Sequence, residues 1–501
     1  MDGSTPKKHV CIVGAGISGL RCADVLLSHG FEVTILEARD RIGGRICQSD
    51  QLGYTVDIGP NWIHAWTDDS KEPHPIYTLA MATNTPLHHW NNKQLIFDSN
   101  GNSLSAELTE RLSTLVWQII EMAFQQSEEA HLNGSSHTIP AEDSLYDFIR
   151  RKAEELVTNE KERGLLLQMS EMFGAYVGVP VWRQSLRFAW MEECCGGEEM
   201  FVSSNYSAIL ARAAKPALDS PNCHIQLNTL VTSVVTHKQR LPNQQVKIST
   251  ATGSTLEFDE VIMTTPLGWL KKHHKSVFSP ALPDRLTSAI SSLSLSNLEK
   301  VFITFPIAFW SQQTTNSVPQ NNPPGESASP CYMNWLTPSY PDSLPTNPNS
   351  WPQEIWDLSS FSPPNNYSTI LFYLYGDCSK HIVKLIHNKS SAEKLALLKE
   401  FFKPYYSRLP GYDEERTECQ PKAILATEWC MDELSGYGSY CNFQVGIEEA
   451  DKDVLAFREG VPEKRLWFCG EHAAPFEECG TVAGAYLSGE AVARKVVDVY
   501  R

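Results

Sequence analysis

The 501-residue sequence predicts an α/β fold, and three observations near its start support that prediction. An apolar run at 9–13 has the composition of a buried parallel strand. It leads into a glycine-rich turn, Gly14-Ala15-Gly16-Ile17-Ser18-Gly19. A helix-like run and a second apolar strand at 33–36 then follow in order and end at Glu37.

Each part of this stretch has a physical role in holding a dinucleotide. Gly14 permits a tight turn, Gly16 lets the backbone approach a pyrophosphate, and Gly19 lets the helix pack on the strand. The N-terminus of the helix offers unpaired N–H groups to the phosphates. The Glu37 carboxylate can accept hydrogen bonds from ribose hydroxyls. The pattern predicts a Rossmann-like unit, although it does not by itself distinguish NAD from FAD.

The charge of the chain favours some partners over others. The chain has 42 Lys and Arg residues against 59 Asp and Glu residues, and its net charge is −17. Nucleic acid is not expected as a partner, because its binding needs a basic surface. An acidic protein attracts cationic small molecules instead.

The cysteines and the two chain ends indicate the cellular compartment of the protein. The 13 cysteines are scattered without Cys-x-x-Cys spacing, and Cys194 and Cys195 are adjacent. We expect reduced thiols, no metal site and a cytoplasmic monomer or weak oligomer. No signal-peptide core is visible, and no uncharged apolar run reaches about 18 residues, so no membrane span is expected. The C-terminus is not Ser-Lys-Leu, the peroxisomal address.

The middle of the chain alternates between helical and strand-like patterns. Residues 104–175 are predicted to be mostly helical, with one buried stripe made of Leu108, Leu112, Leu115, Val116, Ile119 and Met122. Short strands are predicted at 227–235, 245–250 and 255–258. The stretch 311–370, rich in Pro, Ser and Asn, is interpreted as a surface insertion that carries short strands around Tyr332–Leu336 and Ile370–Tyr375.

The residues from Glu37 onward resemble one particular motif. The run Glu37-Ala38-Arg39-Asp40-Arg41-Ile42-Gly43-Gly44-Arg45 is similar to the second dinucleotide motif of the flavin amine oxidase superfamily. Arg45 can pair with a phosphate through two hydrogen bonds. The resemblance implies FAD and the GR2-type fold of that family, a Rossmann-like domain with an inserted mixed α+β substrate domain. The FAD domain would contain 1–85, 205–297 and 420–501, and the substrate domain 86–204 and 298–419.

Other segments share this resemblance and are expected to line the FAD site. They are Gly59-Pro60-Asn61-Trp62, the strand at Val231, Trp429, Gly470-Glu471 and Thr481-Val482. A helix beginning after Thr481 would stabilise the anionic edge of a reduced flavin. Monoamine oxidases carry a flavin-linked cysteine at the position of Tyr440, whereas the cysteine here is Cys441. Because neighbouring strand residues face opposite sides, we expect non-covalent FAD.

Within the superfamily, Asn61-Trp62-Ile63-His64 resembles the polyamine and N-acetylpolyamine oxidases of animals and fungi. The resemblance implies that Lys300 faces flavin N5 through a water, that His64 faces the substrate, and that Tyr440 walls the cavity. The implied partners are a cationic amine and O2. The amine would lose a hydride to the flavin, O2 would reoxidise the flavin to give H2O2, and water would hydrolyse the imine.

Several features leave the substrate open. Leu298, Thr481 and Asn205 depart from the pattern of related oxidases, and all three positions lie around the expected cavity. The acidic pairs Glu192-Glu193 and Glu198-Glu199 are interpreted mainly as solvated charge.

Four alternatives to a polyamine oxidase stay open. They are an oxidase of a specialised amine, a histone demethylase, an amino-acid oxidase using Arg183 or Arg187, and a flavin-bearing protein without turnover. A demethylase is expected to carry an N-terminal SWIRM domain and a long helical insertion, and the sequence shows neither pattern.

Overall fold

The computed structural model describes residues 7–66, 74–89, 93–192, 198–237, 239–240, 244–311, 331–341 and 344–501. Glu193, Cys194 and Cys195 lie outside this part of the chain. A five-stranded sheet, here called the parallel sheet, has all of its neighbouring strands parallel. In spatial order its strands are Leu466–Phe468, Glu260–Met263, His9–Val13, Glu32–Leu36 and Cys223–Gln226.

The parallel sheet forms because its strands are apolar on both faces. Val10, Ile12, Val33 and Ile35 are fully buried, as expected where helices cover a sheet on both sides. The helix that follows the glycine-rich turn packs closely against the C-terminal helix. The predicted Rossmann-like unit is confirmed, and strands from the beginning, middle and end of the sequence build it together.

A second sheet of six strands, here called the mixed sheet, lies beside this unit. Its order is Ala423–Ala426, Glu299–Thr304, Thr369–Leu374, Gln353–Asp357, Tyr332–Trp335 and Gln94–Phe97. Neighbours are antiparallel except for the last pair, which is parallel.

The middle of the mixed sheet corrects one prediction. Two strands, 332–335 and 369–374, lie where short strands were predicted, and a further strand covers 353–357. All three are buried at every position, so they are core strands rather than parts of a surface insertion. The composition of the stretch did not indicate these core strands, because the connections between them are rich in polar residues and proline. Residues 312–330 of the same stretch lie outside the described residues.

Smaller sheets and ribbons connect the two large sheets. One contains Thr255–Phe258, Val246–Thr250, Val231–Val235 and Phe278–Ser279, and another contains Trp62–Trp66, Glu198–Val202 and Leu87–His89. Two-stranded ribbons pair Gln48–Ser49 with Val56–Asp57, and Ser294–Leu295 with Cys441–Asn442.

The α-helices of the described residues are Ile17–Ser28, Pro75–Ala82, Ala106–Leu132, Leu145–Leu156, Glu160–Ser170, Phe173–Val177, Ser207–Asp219, Leu267–Val277, Asp284–Ser292, Gly376–Ile386, Ser391–Tyr406, Ala450–Glu459 and Val482–Val499. In the longest of them, Leu112, Val116 and Ile119 are buried as predicted. Met122 is 39% exposed, because the buried face continues through Ala123 instead. The stripe prediction was therefore wrong at Met122.

Two further observations concern membrane-spanning helices and the predicted domain boundary. Among the described residues, none of the helices has the length and apolarity to cross a membrane.

The predicted domain boundary at 420 falls just before Ala423–Ala426, a strand that pairs with Glu299–Thr304 in the mixed sheet. The division into an FAD domain and a substrate domain stays a prediction.

Candidate active site

A continuous cavity of about 330 Å³ lies between the two large sheets. Val13 and Leu36, at the carboxyl ends of parallel strands, line one end. Lys300 and Tyr373 of the mixed sheet line the other. Ligands of open parallel sheets bind outside the carboxyl ends of the strands, so this is the expected place for a cofactor. The residues that the sequence analysis assigned to the site line the cavity, except Ala15, Gly19 and Asn205. The expectation that Asn205 lies around the cavity was therefore wrong.

Gly14, Gly16 and Gly44, together with the first turn of helix Ile17–Ser28, form what we call the glycine cradle. Gly14 has φ of +112°, a conformation that favours glycine. Gly16 has ordinary backbone angles, but a Cβ added there would meet nothing within 4 Å, so open space lies beside it. No side chain caps this helix, which leaves its first N–H groups facing the cavity. This arrangement fits a pyrophosphate.

Two buried hydroxyls support the same fit. The Ser18 and Thr265 hydroxyl oxygens are buried and have no hydrogen-bond partner among the described residues, and both residues line the cavity. Buried polar atoms are nearly always hydrogen-bonded, so these two point to polar atoms of a ligand. The donors and acceptors present therefore suit a dinucleotide.

Glu37 is fixed at the rim of the cradle. Its carboxylate accepts hydrogen bonds from the backbone N–H groups of Ala15, at 2.7 Å, and Arg39, at 2.8 Å. Ala38 and Arg39 also line the cavity, and the Arg39 guanidinium donates to Asp432 at 2.7 Å. The acid is thereby held where a ribose would lie beside the second strand.

An ion pair joins the two walls of the cofactor end. Arg45 Nη1 lies 3.0 Å from Glu471 Oε1. Burial alone would raise the pKa of the Glu471 carboxyl, but the charge of Arg45, the nearby His472 and hydrogen bonds from Cys441 together outweigh it and lower the pKa. Glu471 is therefore an anion, and it also accepts a hydrogen bond from the backbone N–H of Cys441 at 3.1 Å.

The opposite wall is made of backbone and aromatic surface. Thr481 caps the C-terminal helix by accepting from the Gly484 N–H at 2.8 Å, and Thr481 and Val482 line the cavity with Gly470. Trp429 Nε1 donates to the Ile58 carbonyl at 3.1 Å. The remaining predicted residues of this wall, Gly59, Pro60 and Val231, also line the cavity.

Lys300 lies at the junction between the cofactor end and the substrate end. Its side chain is 5% exposed, and its ammonium donates to the Gly59 carbonyl and to Asn61 Oδ1. Burial lowers the pKa of Lys300, and the nearby Asp57 carboxylate opposes that shift only in part. Within the part of the chain that the structure describes, Lys300 forms no ion pair and is held by these two hydrogen bonds.

A chain of hydrogen bonds supports Lys300 from the side. Trp62 Nε1 donates to the Tyr373 hydroxyl at 3.1 Å, and that hydroxyl donates to Asn61 Oδ1 at 2.9 Å. Asn61 Nδ2 in turn donates to the Asp57 carbonyl at 3.3 Å. Sequence reasoning predicted Trp62 and Asn61 but missed Tyr373, which lies directly opposite Lys300 in the mixed sheet.

His64 and Tyr440 also face the cavity, as the sequence analysis expected. His64 Nδ1 lies 3.0 Å from Glu199 Oε1. Burial alone would lower the pKa of His64, but the charge and hydrogen bond of Glu199 outweigh it and raise the pKa. The Tyr440 hydroxyl donates to the Tyr176 carbonyl at 2.7 Å, which fixes the ring as a wall.

The neighbouring Cys441 is buried, at 2% exposure. Its thiol contacts the Cys479 side chain and lies 3.9 Å from the Glu471 carbonyl oxygen. Cys441 does not line the cavity, whereas Cys479 does.

Acidic residues surround the substrate end, which differs from the sequence interpretation. Glu192 and Glu199 line the cavity rather than lying in bulk solvent, whereas Glu198 is exposed. Burial raises the pKa of Glu192 to about 8. Glu354 of the mixed sheet also lines the cavity, and sequence reasoning missed it. No local signal marks Glu354, because it stands between Gln353 and only two apolar residues before Asp357, and strand pairing alone brings it to the cavity.

Comparisons with known proteins agree with this geometry. A polyamine oxidase of Arabidopsis thaliana, described as probable polyamine oxidase 4, is 26% identical over 96% of this chain and 85% of its own length. Lysine-specific histone demethylase 1 homolog 1 of the same plant is 25% identical, but the chain spans only 53% of it. A solved putrescine oxidase variant superposes with a TM-score of 0.66, covering 98% of this chain and all of that one, at 17% identity.

The family described as flavin containing amine oxidoreductase matches residues 17–497, nearly the whole chain. That match includes the mixed sheet with the strand that carries Lys300, four of the five strands of the parallel sheet, and the helix Ile17–Ser28 and Gly44 of the glycine cradle. Strand His9–Val13, Gly14 and Gly16 precede the matched range. The chain belongs to the flavin containing amine oxidoreductase family.

Proposed function

We propose that the protein binds FAD without a covalent bond and oxidises a cationic amine, a polyamine or an N-acetylpolyamine. The family match supports a flavin-dependent oxidation of amines. When bound, the flavin accepts a hydride from the carbon next to the amine nitrogen and passes the electrons to O2, which yields H2O2. Water then hydrolyses the imine to an aldehyde and an amine.

The observation that carries this proposal is the composition of the cavity. It runs without a break from the glycine cradle to an end lined by Glu192, Glu199 and Glu354. Lys300 is the single lysine among the described residues that line it. Burial raises the pKa of Glu192 and of Glu354 to about 8, and a cation bound beside either acid would favour its ionised form, which suits an amine better than an amino acid.

Each proposed catalytic residue has a separate task. Lys300 places a donor group where the flavin would meet the substrate, and its buried position makes its proton easy to lose. Trp62 and Tyr440 supply aromatic walls for the alkyl chain and for a nearby cation. His64, paired with Glu199, places a titratable group at the substrate end.

The buried position of Cys441 supports non-covalent FAD. Its thiol points towards Cys479 and the Glu471 backbone instead of the cavity. Acid precipitation of the holoenzyme is therefore expected to leave the flavin in the supernatant. Yellow flavin in the washed precipitate would contradict this expectation, and Cys479→Ser would then show whether the cavity-lining thiol is the site of attachment.

The experiment that tests the activity is a substrate panel. The purified, flavin-loaded protein should release H2O2 with free or N-acetylated spermine or spermidine, and anaerobic mixing with the same amine should bleach the flavin. Monoamines, amino acids and a methylated-lysine peptide complete the panel, the last because histone demethylases are among the relatives. Flavin that no amine bleaches would contradict the oxidase proposal and favour a protein that binds flavin without turnover.

The remaining predictions of location and assembly are carried forward unchanged. A cytoplasmic location rests on the scattered cysteines, all of which are free where the structure describes them. A monomer or weak oligomer rests on the sequence alone. Cell fractionation and light scattering would test the two predictions.

A further inference from the structure

Building on the proposed function, we infer that Cys441 and Cys479 form a peroxide-sensitive thiol pair, which closes into a disulfide when H2O2 accumulates in the cavity. The oxidation would slow turnover until a reductant reopens the bridge. The pair would therefore limit the amount of peroxide that the protein releases. Contact between the thiols, access from the cavity and a contrasting second pair of cysteines support this assignment.

The first support is the contact between the two thiols. The Cys441 thiol contacts the Cys479 side chain, and both cysteines are free. Their chain segments also meet, because the Gly480 N–H donates to the Glu471 carbonyl at 3.3 Å and the Cys441 Sγ lies 3.9 Å from the same oxygen. A Cβ added at Gly480 would lie 3.4 Å from the Cys441 carbonyl oxygen. Cysteines whose Cα atoms are more than about 7 Å apart cannot be joined without backbone movement, so segments in such close contact suit a bridge.

The second support is access from the cavity. Cys479 lines the cavity at its cofactor end, beside Gly480 and Thr481, and is 7% exposed. Cys441 contacts Cys479 from behind, because it does not itself line the cavity. Peroxide formed in the cavity would therefore meet Cys479 first and could reach Cys441 only through it.

The surroundings give the two thiols different roles. The Arg458 guanidinium donates to the Ala474 carbonyl, and the Cys479 Sγ lies 3.8 Å from that oxygen, so a positive charge lies beside this thiol. Reactive cysteines are found next to cations, because the thiolate is the nucleophile that attacks peroxide. Contact with Cys479 and burial raise the pKa of the Cys441 thiol, which keeps it protonated. Cys479 is therefore the residue that peroxide oxidises, and Cys441 is the residue that resolves the product.

The reaction balances with H2O2 as its oxidant. The Cys479 thiolate attacks one oxygen of the peroxide, the O–O bond breaks, and a sulfenic acid and hydroxide form. The Cys441 sulfur then attacks the Cys479 sulfur, so that an S–S bond forms, the S–O bond breaks, and the Cys441 proton leaves with the oxygen as water. The hydroxide takes up the proton that Cys479 lost, which gives a second water. Two thiols are thus oxidised to one disulfide, and one peroxide is reduced to two waters.

The third support is a second thiol pair that lacks this access. Cys22 contacts Cys469, but both residues are fully buried and neither lines the cavity. If contact alone decided oxidation, both pairs would close. If access from the cavity decides it, only the pair of Cys441 and Cys479 would close. The chain therefore contains an internal control for the inference.

A bridge at this place would act on the cofactor end from two sides. Cys441 directly follows Tyr440, the aromatic wall of the cavity. Cys479 lies two residues before Thr481, which caps the C-terminal helix. A covalent bond is shorter than a contact between two thiols, so closing it would draw the Tyr440 wall and the Thr481 cap together. We expect a shifted flavin absorbance band and slower reduction of the flavin by amine.

The test adds H2O2 to the reduced, flavin-loaded protein in the absence of any amine, so the result does not depend on oxidase activity. Peptide mapping after alkylation under denaturing conditions then reads the state of the 13 cysteines. We expect a disulfide between Cys441 and Cys479, whereas Cys22 and Cys469 should be alkylated as free thiols. Dithiothreitol should restore both thiols and the starting flavin spectrum.

The rate of flavin reduction by the best amine gives the functional readout. A misplacement of about 1 Å in an active site can cost about 100-fold in rate, so the oxidised protein should lose at least about tenfold. Dithiothreitol should restore the rate. The same disulfide should also form during aerobic turnover, because the amine reaction would supply the peroxide.

Three variants assign the roles of the cysteines. Cys479→Ser should prevent both the disulfide and the loss of rate. Cys441→Ser should leave a sulfenic acid at Cys479, which dimedone would trap. Cys22→Ala is the matched control and should form the disulfide as the wild type does.

The outcomes separate this inference from the proposed function. Equal oxidation of both thiol pairs, or a pair of Cys441 and Cys479 that stays reduced at peroxide concentrations that oxidise glutathione, would overturn the inference. A disulfide that changes neither the flavin spectrum nor the rate, or that added peroxide forms but turnover does not, would overturn it as well while leaving the oxidase proposal intact. Absence of H2O2 release with every amine of the substrate panel would instead count against the proposed function.

Discussion

The two ends of the cavity are built in different ways. The cofactor end is made mainly of backbone, from the glycine cradle, the first turn of helix Ile17–Ser28 and the cap at Thr481. The substrate end is made of side chains that come from separate strands, among them Lys300, Tyr373 and Glu354. Backbone sites recognise a group that every family member shares, whereas side-chain sites can change their ligand by single substitutions. The cofactor end should therefore tolerate little change, and the substrate end should be tunable.

The largest expected effect is at Gly16, in the cofactor end. Gly16→Val places a side chain in the open space of the cradle, where no protein atom lies within 4 Å, so the fold should persist. The pyrophosphate would lose that space, and we expect flavin binding to be abolished. The absorbance spectrum of the purified variant measures its flavin content, and circular dichroism measures whether the fold persists.

Gly164→Ala is the matched control for the cradle variant. Gly164 lies in helix Glu160–Ser170, also has no atom within 4 Å of an added Cβ, and does not line the cavity. It should retain full flavin content. A Gly16→Val protein with normal flavin content would break the proposed distinction between the two ends.

The next largest effect is expected at Lys300, where the two ends meet. Lys300→Met keeps the length of the side chain but removes its charge and its donors to Gly59 and Asn61. Flavin should stay bound, while kcat/KM for the best amine should fall by about 100-fold. Stopped-flow measurement of flavin reduction and of reoxidation by O2 would show which step depends on the lysine.

The pH dependence of the wild-type protein gives Lys300 a second readout. Burial lowers the pKa of Lys300, so its charge is present below that pKa and is lost as the pH rises through it. A rate that needs the charge should fall over that range in the wild type and stay flat in Lys300→Met. Lys247→Met, on an exposed strand position, serves as the control with unchanged rates.

A smaller effect is expected at the pair of His64 and Glu199. Glu199 raises the pKa of His64, so Glu199→Gln should lower it. Protonated His64 repels a cationic substrate, so KM should fall as the pH rises through the His64 pKa. In Glu199→Gln this fall should move to lower pH, while KM at high pH rises by no more than about fivefold. An unshifted KM profile would remove His64 from the substrate end.

The smallest effect concerns helix caps, which separate stability from function. Ser144 caps helix Leu145–Leu156 in a reciprocal pair with Asp147, away from the cavity. Ser144→Ala should lower the free energy of unfolding by about 1 kcal/mol and leave flavin binding unchanged. Thr481→Ala removes a comparable cap from the cavity wall, so it should also change the flavin spectrum. Denaturant unfolding and absorbance spectra measure both outcomes.

The same contrast explains what could be read from the sequence. The cofactor end was predictable because glycines, strands and an acid occur close together and in a fixed order around Gly14 and Glu37. Glu354 and Tyr373 were not predictable, because strand pairing brings them to Lys300 from positions 54 and 73 residues further along. Local patterns carry no information about such pairing. The wrong prediction that Met122 is buried has a similar origin, because packing partners as well as spacing decide which helix face is buried.

The ion pair between Arg45 and Glu471 has a consequence for how the protein is made in the cell. These residues are 426 positions apart in the chain, and the Glu471 side of the site precedes the last helix. A ribosome that has synthesised the glycine cradle must still add more than four hundred residues before the opposite wall exists. Cofactor capture is therefore expected to be a late step, completed only after Glu471 and the helix Val482–Val499 have been synthesised. Nascent or truncated chains that lack this last segment present an open half-site to chaperones and proteases.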